Sequence, residues 1–344
     1  MQAVVKTEKG KGFLELRDVP EPTITDDEVL IEIKAAGICG TDVHVKHDTF
    51  PYWPPVILGH EFSGEIVEAG RNVNDYKAGD RVVGEPHTLH CGKCFLCRKG
   101  HIQNCLEKRS PGWGIDGAFT KFLKYPTNLL HRIPDHMSFE QAALVEPAAN
   151  TVTDIIDRQA IEVGDFVVVL GPGPIGLLAA QVARVAGARE VMMVGAPADE
   201  ELRLATARRL GVDHVVNFAE TNPVEKCLEL TDGKGADLVI ECSGAPPAIG
   251  QAIDLVCKWG RICAIGLTGK RPVELDWDAA MTKVVTLLFN MSTEYASWDK
   301  TIWMIADGKI DVDPIITHRL PLTEWEKGFA AAENMEALKV VFTP

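Results

Sequence analysis

Four cysteines fall within fifteen residues, CGKCFLCRKGHIQNC, as Cys91, Cys94, Cys97 and Cys105 in the spacing C-x2-C-x2-C-x7-C. Zinc held by thiolates needs four soft ligands at tetrahedral corners, and closely spaced cysteines on a tight loop supply them. The stretch is rich in glycine and charge (Gly92, Lys93, Arg98, Lys99, Gly100) and poor in apolar residues, so a metal would stand in for a core. Two disulfides are the competing use of these residues. The other cysteines (Cys39, Cys227, Cys242, Cys257, Cys263) are scattered, and the total of nine is odd. The opening MQAVVKTEKGKGF lacks the apolar centre of a signal peptide, so a cytoplasmic location is expected. Cysteines in a reducing compartment favour metal binding or catalysis over a disulfide framework. The stretch, at about residues 86–110, is read as a structural zinc lobe.

A second set of donors lies apart from the first. Cys39 stands in GICGTDVH, His60 and Glu61 in GHEF, and Glu146 in VEP. Taken singly, Cys39 reads as a small core residue, His60 as a hydrogen-bonded histidine and Glu146 as a helix-terminal carboxylate. Together, Cys39, His60 and a carboxylate make a mixed sulfur, nitrogen and oxygen set that suits zinc with one position left open.

A third motif follows the apolar run DFVVVL: Gly171-Pro172-Gly173-Pro174-Ile175-Gly176, then LLAAQVARVAG. A G-x-G-x-x-G between strand and helix is a dinucleotide fingerprint. Gly171 permits the tight turn, Gly173 lets a pyrophosphate approach the backbone, and Gly176 lets helix and strand pack closely. The free N–H groups at the helix start face the phosphates. An acid is expected at the end of the next strand to bind the adenosine ribose. That strand, EVMMVG, ends in Gly195; Asp199, Glu200 and Glu201 follow, and Arg203 is the cation nearest a 2′-phosphate. The acidic loop favours NAD over NADP.

The elements that position these residues change character near residue 150. Residues 1–125 carry short strand-like runs (AVVK, EVLIEIKAAG, EFSGEIVEAG, DRVVG, FTKFLKY) broken by Gly, Pro and Asp, as in an irregular antiparallel domain. Later runs (DFVVVLG, EVMMVGA, HVVNF, ADLVIECSG, RICAIGL, TLLFN) are continuously apolar. They alternate with the helical stretches IGLLAAQVARVAGA, ADEELRLATARRLG, NPVEKCLELTDG and PAIGQAIDLVCK. That alternation specifies a parallel, doubly wound sheet. A tail with SWDKTIWMIADG and PIITHRL is expected to return to the first domain. The fold class is α/β, with domains at 1–147 and 148–290 and the returning segment at 291–344. A net charge of −14 disfavours nucleic acid, and no apolar run reaches membrane-spanning length.

GICGTDVH, GHEFSGEIVEAG, the cysteine lobe, LVEPAAN and LGPGPIG occur in that order. With them the chain resembles the zinc-dependent medium-chain dehydrogenase/reductase family along essentially its whole length. The resemblance implies a GroES-like catalytic domain and a Rossmann domain, with the active site in the cleft between them. It implies two zinc ions, Cys39 and His60 holding the catalytic one, and a homotetramer or homodimer joined through the Rossmann sheets. Alcohol dehydrogenases of the best-known branch carry a cysteine where this chain has Glu146; the sorbitol and threonine dehydrogenase branches carry an acid, and the chain looks like them. In those branches the position of Glu61 binds zinc, with Glu146 binding directly or through water, so the two acids are expected to share that role. The spacing of Cys39, Thr41 and His44 resembles the family's proton relay, from Thr41 through the cofactor ribose to His44. A pocket with zinc and two carboxylates points to a polyol or related secondary alcohol. L-threonine 3-dehydrogenase is the alternative, as are a 2,3-butanediol-type and a simple alcohol dehydrogenase.

Overall fold

Val29, Ile31, Ile33 and Ala35 are buried while Leu30, Glu32 and Lys34 between them are half-exposed. This period of two makes Glu28–Gly37 a strand with one face on a core. The computed structural model describes residues 1–158, 160–269 and 272–344. The chain divides into two units. One comprises Met1–Ala149, Ser292–Asp307 and Ile316–Pro344; the other comprises Asn150–Met291 and Gly308–Ile315.

In the first unit, Glu28–Gly37 is the hub of a seven-stranded sheet. It pairs antiparallel with Glu61–Ala69, with Phe122–Pro126 and with Lys339–Thr343. Lys339–Thr343 in turn pairs parallel with Ile316–Pro321, so the tail completes the sheet of the opening residues. Beneath lies a core of Ile31, Ile66, Phe62, Tyr125, Phe119 and Phe342, with edge-to-face rings 5.2 Å apart at Phe62/Tyr125 and at Phe119/Phe342.

The second unit carries six parallel strands in the spatial order His214–Asn217, Glu190–Gly195, Phe166–Leu170, Ala236–Glu241, Val256–Ala264, Thr286–Phe289. Phe166–Leu170 is buried at every residue, as a central strand covered on both faces must be. The strand order reverses beside it, which opens a crevice at the carboxyl ends.

Two expected helices differ. PAIGQAIDLVCK ends as a helix at Leu255, and Val256–Lys258 begin the next strand. Val256 pairs with Ala236, and this tertiary pairing outweighs helical periodicity in an apolar run. The stretch ADEELRLATARRLG winds as a 3-10 turn (Pro197–Asp199), a π turn (Glu200–Leu204) and an α-helix (Ala205–Arg209). Pro197 fixes the tight start, and the wider π turn follows it.

Candidate active site

The strand pairing sets Gly37 opposite Glu61, so Cys39 and His60 meet just beyond the paired ends. One donor atom from each of Cys39, His60 and Glu61 lies within 4.8 Å of the others. A Cβ at residue 37 would stand 2.3 Å from Glu61 Oε2, so glycine there leaves room for the carboxylate. Glu61 is 1% exposed. Its oxygens accept from Lys339 Nζ at 2.9 and 2.8 Å, and Lys339 also donates to the Ile38 carbonyl at 2.9 Å. Burial pulls the Lys339 pKa down, but Glu61, Cys39 and Glu146 outweigh it and hold the pKa above the ordinary value.

Asp42 is a further buried acid at the site. Its carboxylate accepts from the backbone N–H of Cys39 at 2.9 Å and of Gly59 at 3.1 Å, tying the Cys39 turn to the His60 turn. Burial pushes its pKa up. For His60, burial favours the neutral ring, yet Cys39, Asp42 and Glu146 reverse this and push the pKa up to about 10. His60 Nδ1 is buried without a hydrogen-bond partner. An anionic, desolvated pocket with an idle ring nitrogen and a sulfur, nitrogen and oxygen donor set fits a divalent cation such as zinc.

Glu146 opens the helix Val145–Val152 and is buried; it lies outside the closest three-donor set, though its charge bears on His60 and Lys339. Thr41 and His44 are one turn apart on the helix Gly40–Lys46, whose N-cap is Cys39. Thr41 Oγ1 is 3.7 Å from Cys39 Sγ, and His44 Nδ1 is 3.0 Å from Thr49 Oγ1.

The four lobe cysteines bring their sulfurs within 4.8 Å of one another, and all nine cysteines are free thiols. Backbone N–H groups of Cys94, Cys97, Cys91 and Glu107 point at the sulfurs of Cys91, Cys94, Cys105 and Cys105 at 3.3 to 3.5 Å. The N–H groups of Cys97 and Leu106 draw the Cys94 pKa down to about 6, whereas burial and the neighbouring thiols push Cys97 up to about 12. Four thiolates this close repel unless a cation sits among them, and a four-sulfur set is what structural zinc takes.

In the second unit, Gly171 has φ +97°, and its Cβ would meet Ser243 at 2.8 Å. A Cβ on Gly176 would come 1.9 Å from the Gly171 carbonyl, whereas one on Gly173 would meet nothing within 4 Å. Close packing thus demands glycine at 171 and 176, and open space at 173 is what an approaching ligand uses. Pro174 and Ile175 open the helix Pro174–Val185. A Cβ on Gly195 would stand 2.8 Å from both Leu204 and Pro172, so the loop after this strand abuts the glycine turn. There Asp199 accepts from Ala196 N–H at 2.9 Å and from Arg203 Nη1 at 2.9 Å. Glu200 pairs with Arg208 at 2.7 Å.

Sequence reading missed three residues: Asp42, Lys339 and Lys108. A lone lysine inside the apolar ALKVVF was a signal of a buried charge. Lys108 is half-buried; burial draws its pKa down to about 8 against the opposing pull of Glu146 and Cys105, which leaves it charged at neutral pH. His87 beside it is driven by burial down to about 3 and is neutral.

Comparison with known proteins agrees with this geometry. Residues 25–135 match the alcohol dehydrogenase GroES-like domain, and residues 174–307 match the zinc-binding dehydrogenase domain. Sorbitol dehydrogenase of Halalkalibacterium halodurans is 38% identical, with 100% of this chain and 99% of that protein covered. D-arabitol-phosphate dehydrogenase of Enterococcus avium is 35% identical, with 99% and 97% covered. A zinc-binding dehydrogenase of Sinorhizobium meliloti solved with NADP superposes with a TM-score of 0.91 at 30% identity, covering 100% of this chain and 99% of that one. The chain belongs to the zinc-dependent medium-chain dehydrogenase/reductase family and is an oxidoreductase. No helix among the described residues is long and apolar enough to cross a membrane.

Proposed function

We propose that the protein oxidises a secondary hydroxyl of a polyol or related alcohol, reversibly, with NAD as the hydride acceptor. The observation that carries this reading is the clustering of half-buried Cys39 with buried His60 and Glu61, with Glu146 within electrostatic reach. These residues would hold a catalytic zinc, and Cys91, Cys94, Cys97 and Cys105 a structural one. Zinc in the mixed site supplies Lewis acidity that lowers the pKa of a bound hydroxyl. Glu61 and Glu146 accept hydrogen bonds from the other hydroxyls of a hydroxyl-rich substrate, which is why polyols suit the site better than simple alcohols. Thr41, beside Cys39, takes the hydroxyl proton, and His44 one turn on delivers it to solvent.

Gly171, Gly173, Pro174, Ile175 and Gly176 cradle the cofactor pyrophosphate, and Gly195 lies by the adenosine ribose. The preference for NAD rests on Arg203: the Asp199 carboxylate neutralises it, and Glu200 and Glu201 add negative charge around it. A 2′-phosphate would find Arg203 and Arg208 already paired with Asp199 and Glu200. The exposed edge strand Thr286–Phe289, with Phe289 71% and Met291 58% exposed, supports assembly as a homotetramer or homodimer through this sheet. The free cysteines suit a cytoplasmic setting.

The test is NADH or NADPH formation from sorbitol, xylitol, L-threonine, 2,3-butanediol and simple alcohols, before and after chelation. Chelator-sensitive turnover of polyols with NAD is the expected outcome. Turnover of L-threonine alone would replace the substrate assignment.

A further inference from the structure

The strands Phe166–Leu170 and Ala236–Glu241 lie side by side where the order of the parallel sheet reverses, with Leu170 directly opposite Glu241. A ligand crevice opens beyond the carboxyl ends of such a pair. The glycine turn 171–176 leaves one strand there, and residues 242–245 leave the other as a second turn. The Cys242 N–H donates to the Leu170 carbonyl at 2.9 Å, so the two chains stay joined one residue past the strand end.

Glu241 is 2% exposed. A buried carboxylate must be hydrogen-bonded, and the donors come from the turn that follows it. Oε1 accepts from the Ser243 N–H at 2.9 Å, from the Ser243 hydroxyl and from the Gly244 N–H at 3.1 Å; Oε2 accepts from the Gly244 N–H at 3.1 Å. Ser243 Oγ in turn accepts from the N–H of Ala245, the N-cap of the helix Pro246–Leu255, at 3.1 Å. The backbone of Glu241 holds the next turn as well, its carbonyl accepting from the Ile265 and Gly266 N–H groups at 2.8 and 3.0 Å. A Cβ on Gly266 would stand 2.6 Å from Glu241 Oε2, so the loop closes directly over the carboxylate. One buried residue thus holds the turns after two strands.

The turn carries that placement outward. Ser243 is exposed, and its Cβ lies 2.8 Å from where a Cβ of Gly171, the first glycine of the fingerprint, would stand. A bare carboxylate would repel a pyrophosphate. This one is sealed beneath its own turn and its charge is met by N–H and O–H donors, which suits it to support the turn rather than to touch a ligand.

We propose that Glu241 is a positioning residue for the dinucleotide: it sets the turn at Ser243 and Gly244 against Gly171 and so fixes the wall of the crevice opposite the glycine turn. This rests on the cofactor reading above. Glutamine at 241 keeps the shape, but in either orientation it turns its NH2 toward the Gly244 N–H, and the turn must shift.

The experiment titrates NADH and NADPH by fluorescence into zinc-loaded wild type, Glu241→Gln, Ser243→Ala and the double variant, with thermal melts alongside. Wild type should bind NADH. Glu241→Gln should weaken that binding about 10-fold and Ser243→Ala about threefold, each still taking up one cofactor per folded chain at saturation. The double variant should bind no more weakly than Glu241→Gln, since the hydroxyl acts through the carboxylate. Unchanged affinity in Glu241→Gln with a lowered melting temperature would overturn the assignment, leaving a residue that only stabilises the fold. Tighter binding would overturn it too, because the charge would then act by repulsion. If Glu241→Gln does not fold, Ser243→Ala decides alone, and an affinity equal to wild type rejects the proposal. Failure of wild type to bind either NADH or NADPH would sink the cofactor reading and this inference with it, whereas equal binding by wild type and variants would sink this inference only.

Discussion

The two clusters of metal-type donors in the first unit are built on opposite plans. The lobe draws four sulfurs from one stretch of fifteen residues, holds them with its own backbone N–H groups, and has no buried residue in its short helix Phe95–Arg98. The mixed cluster draws Cys39 from one segment and His60 and Glu61 from another, buries His60 and Glu61, and surrounds them with other buried charged-type side chains, Asp42 and Lys339. A closed set of identical ligands has no vacancy for a substrate, so it can do no more than fasten a loop. A mixed set held by long-range packing can keep a position open. On the function proposed above, the first plan would stabilise the fold and the second would do the chemistry.

The largest effect should come from breaking the mixed cluster. His60→Ala should leave the lobe zinc in place, remove the other, and lower turnover at least about a thousandfold, as zinc analysis with kinetics will show. Two zinc ions retained with normal rates would erase the distinction. Next, Lys339→Met strands the buried Glu61 and should cost about 3–5 kcal/mol. Denaturant melts should show a larger loss in chelated protein than in zinc-loaded protein, because the metal's charge replaces the missing ammonium. In the lobe, Cys97→Ser should lower Tm by about 5–10 °C, corresponding to a loss of about 3 kcal/mol, with a much smaller change in rate per folded molecule.

The contrast between partnered and unpartnered acids extends to the second unit. Asp154 is 2% exposed with Oδ1 unpartnered, and burial pushes its pKa up to about 8. A carboxyl whose folded pKa is raised stays protonated in the fold while the unfolded chain ionises, so stability falls as pH rises from about 4 to about 8. Asp154→Asn should match wild type at pH 4 and gain roughly 2–4 kcal/mol by pH 8. The smallest effect expected is in cofactor choice. Asp199→Asn keeps an oxygen for the Ala196 N–H but releases Arg203, and should raise the ratio of NADP to NAD efficiency about 10-fold. Arg203→Leu in that background should cancel the gain.

The lobe and the glycine loop were legible because their spacing is local. Gly171, Gly173 and Gly176 lie within six residues, and the packing that demands glycine at 176 is against the Gly171 carbonyl, although the contact that demands it at 171 comes from distant Ser243. The mixed cluster was legible only through several motifs read together with a family resemblance, because Cys39 is brought to His60 and Glu61 by sheet topology. Asp42 and Lys339 escaped for the same reason. A single aspartate in a helix or a single lysine in a strand has no periodic partner in the sequence. Only the pairing of Glu28–Gly37 with Lys339–Thr343 shows that the ammonium belongs to Glu61. The boundary at Val256 was misread because an apolar run suits a helix and a buried strand equally.

The Glu61–Lys339 ion pair also sets an order of events in the life of the molecule. The partners are 278 residues apart. A ribosome adding about 5–20 residues per second exposes Cys39, His60 and Glu61 on the order of 15 to 60 s before it supplies the lysine. Through that interval the nascent carboxylate has no internal counter-charge and cannot be sealed from water cheaply. Closure of the mixed cluster is therefore a late, post-translational-scale event, whereas the cysteine lobe has all four thiols as soon as Cys105 emerges and could take up a metal while the rest of the chain is still being made.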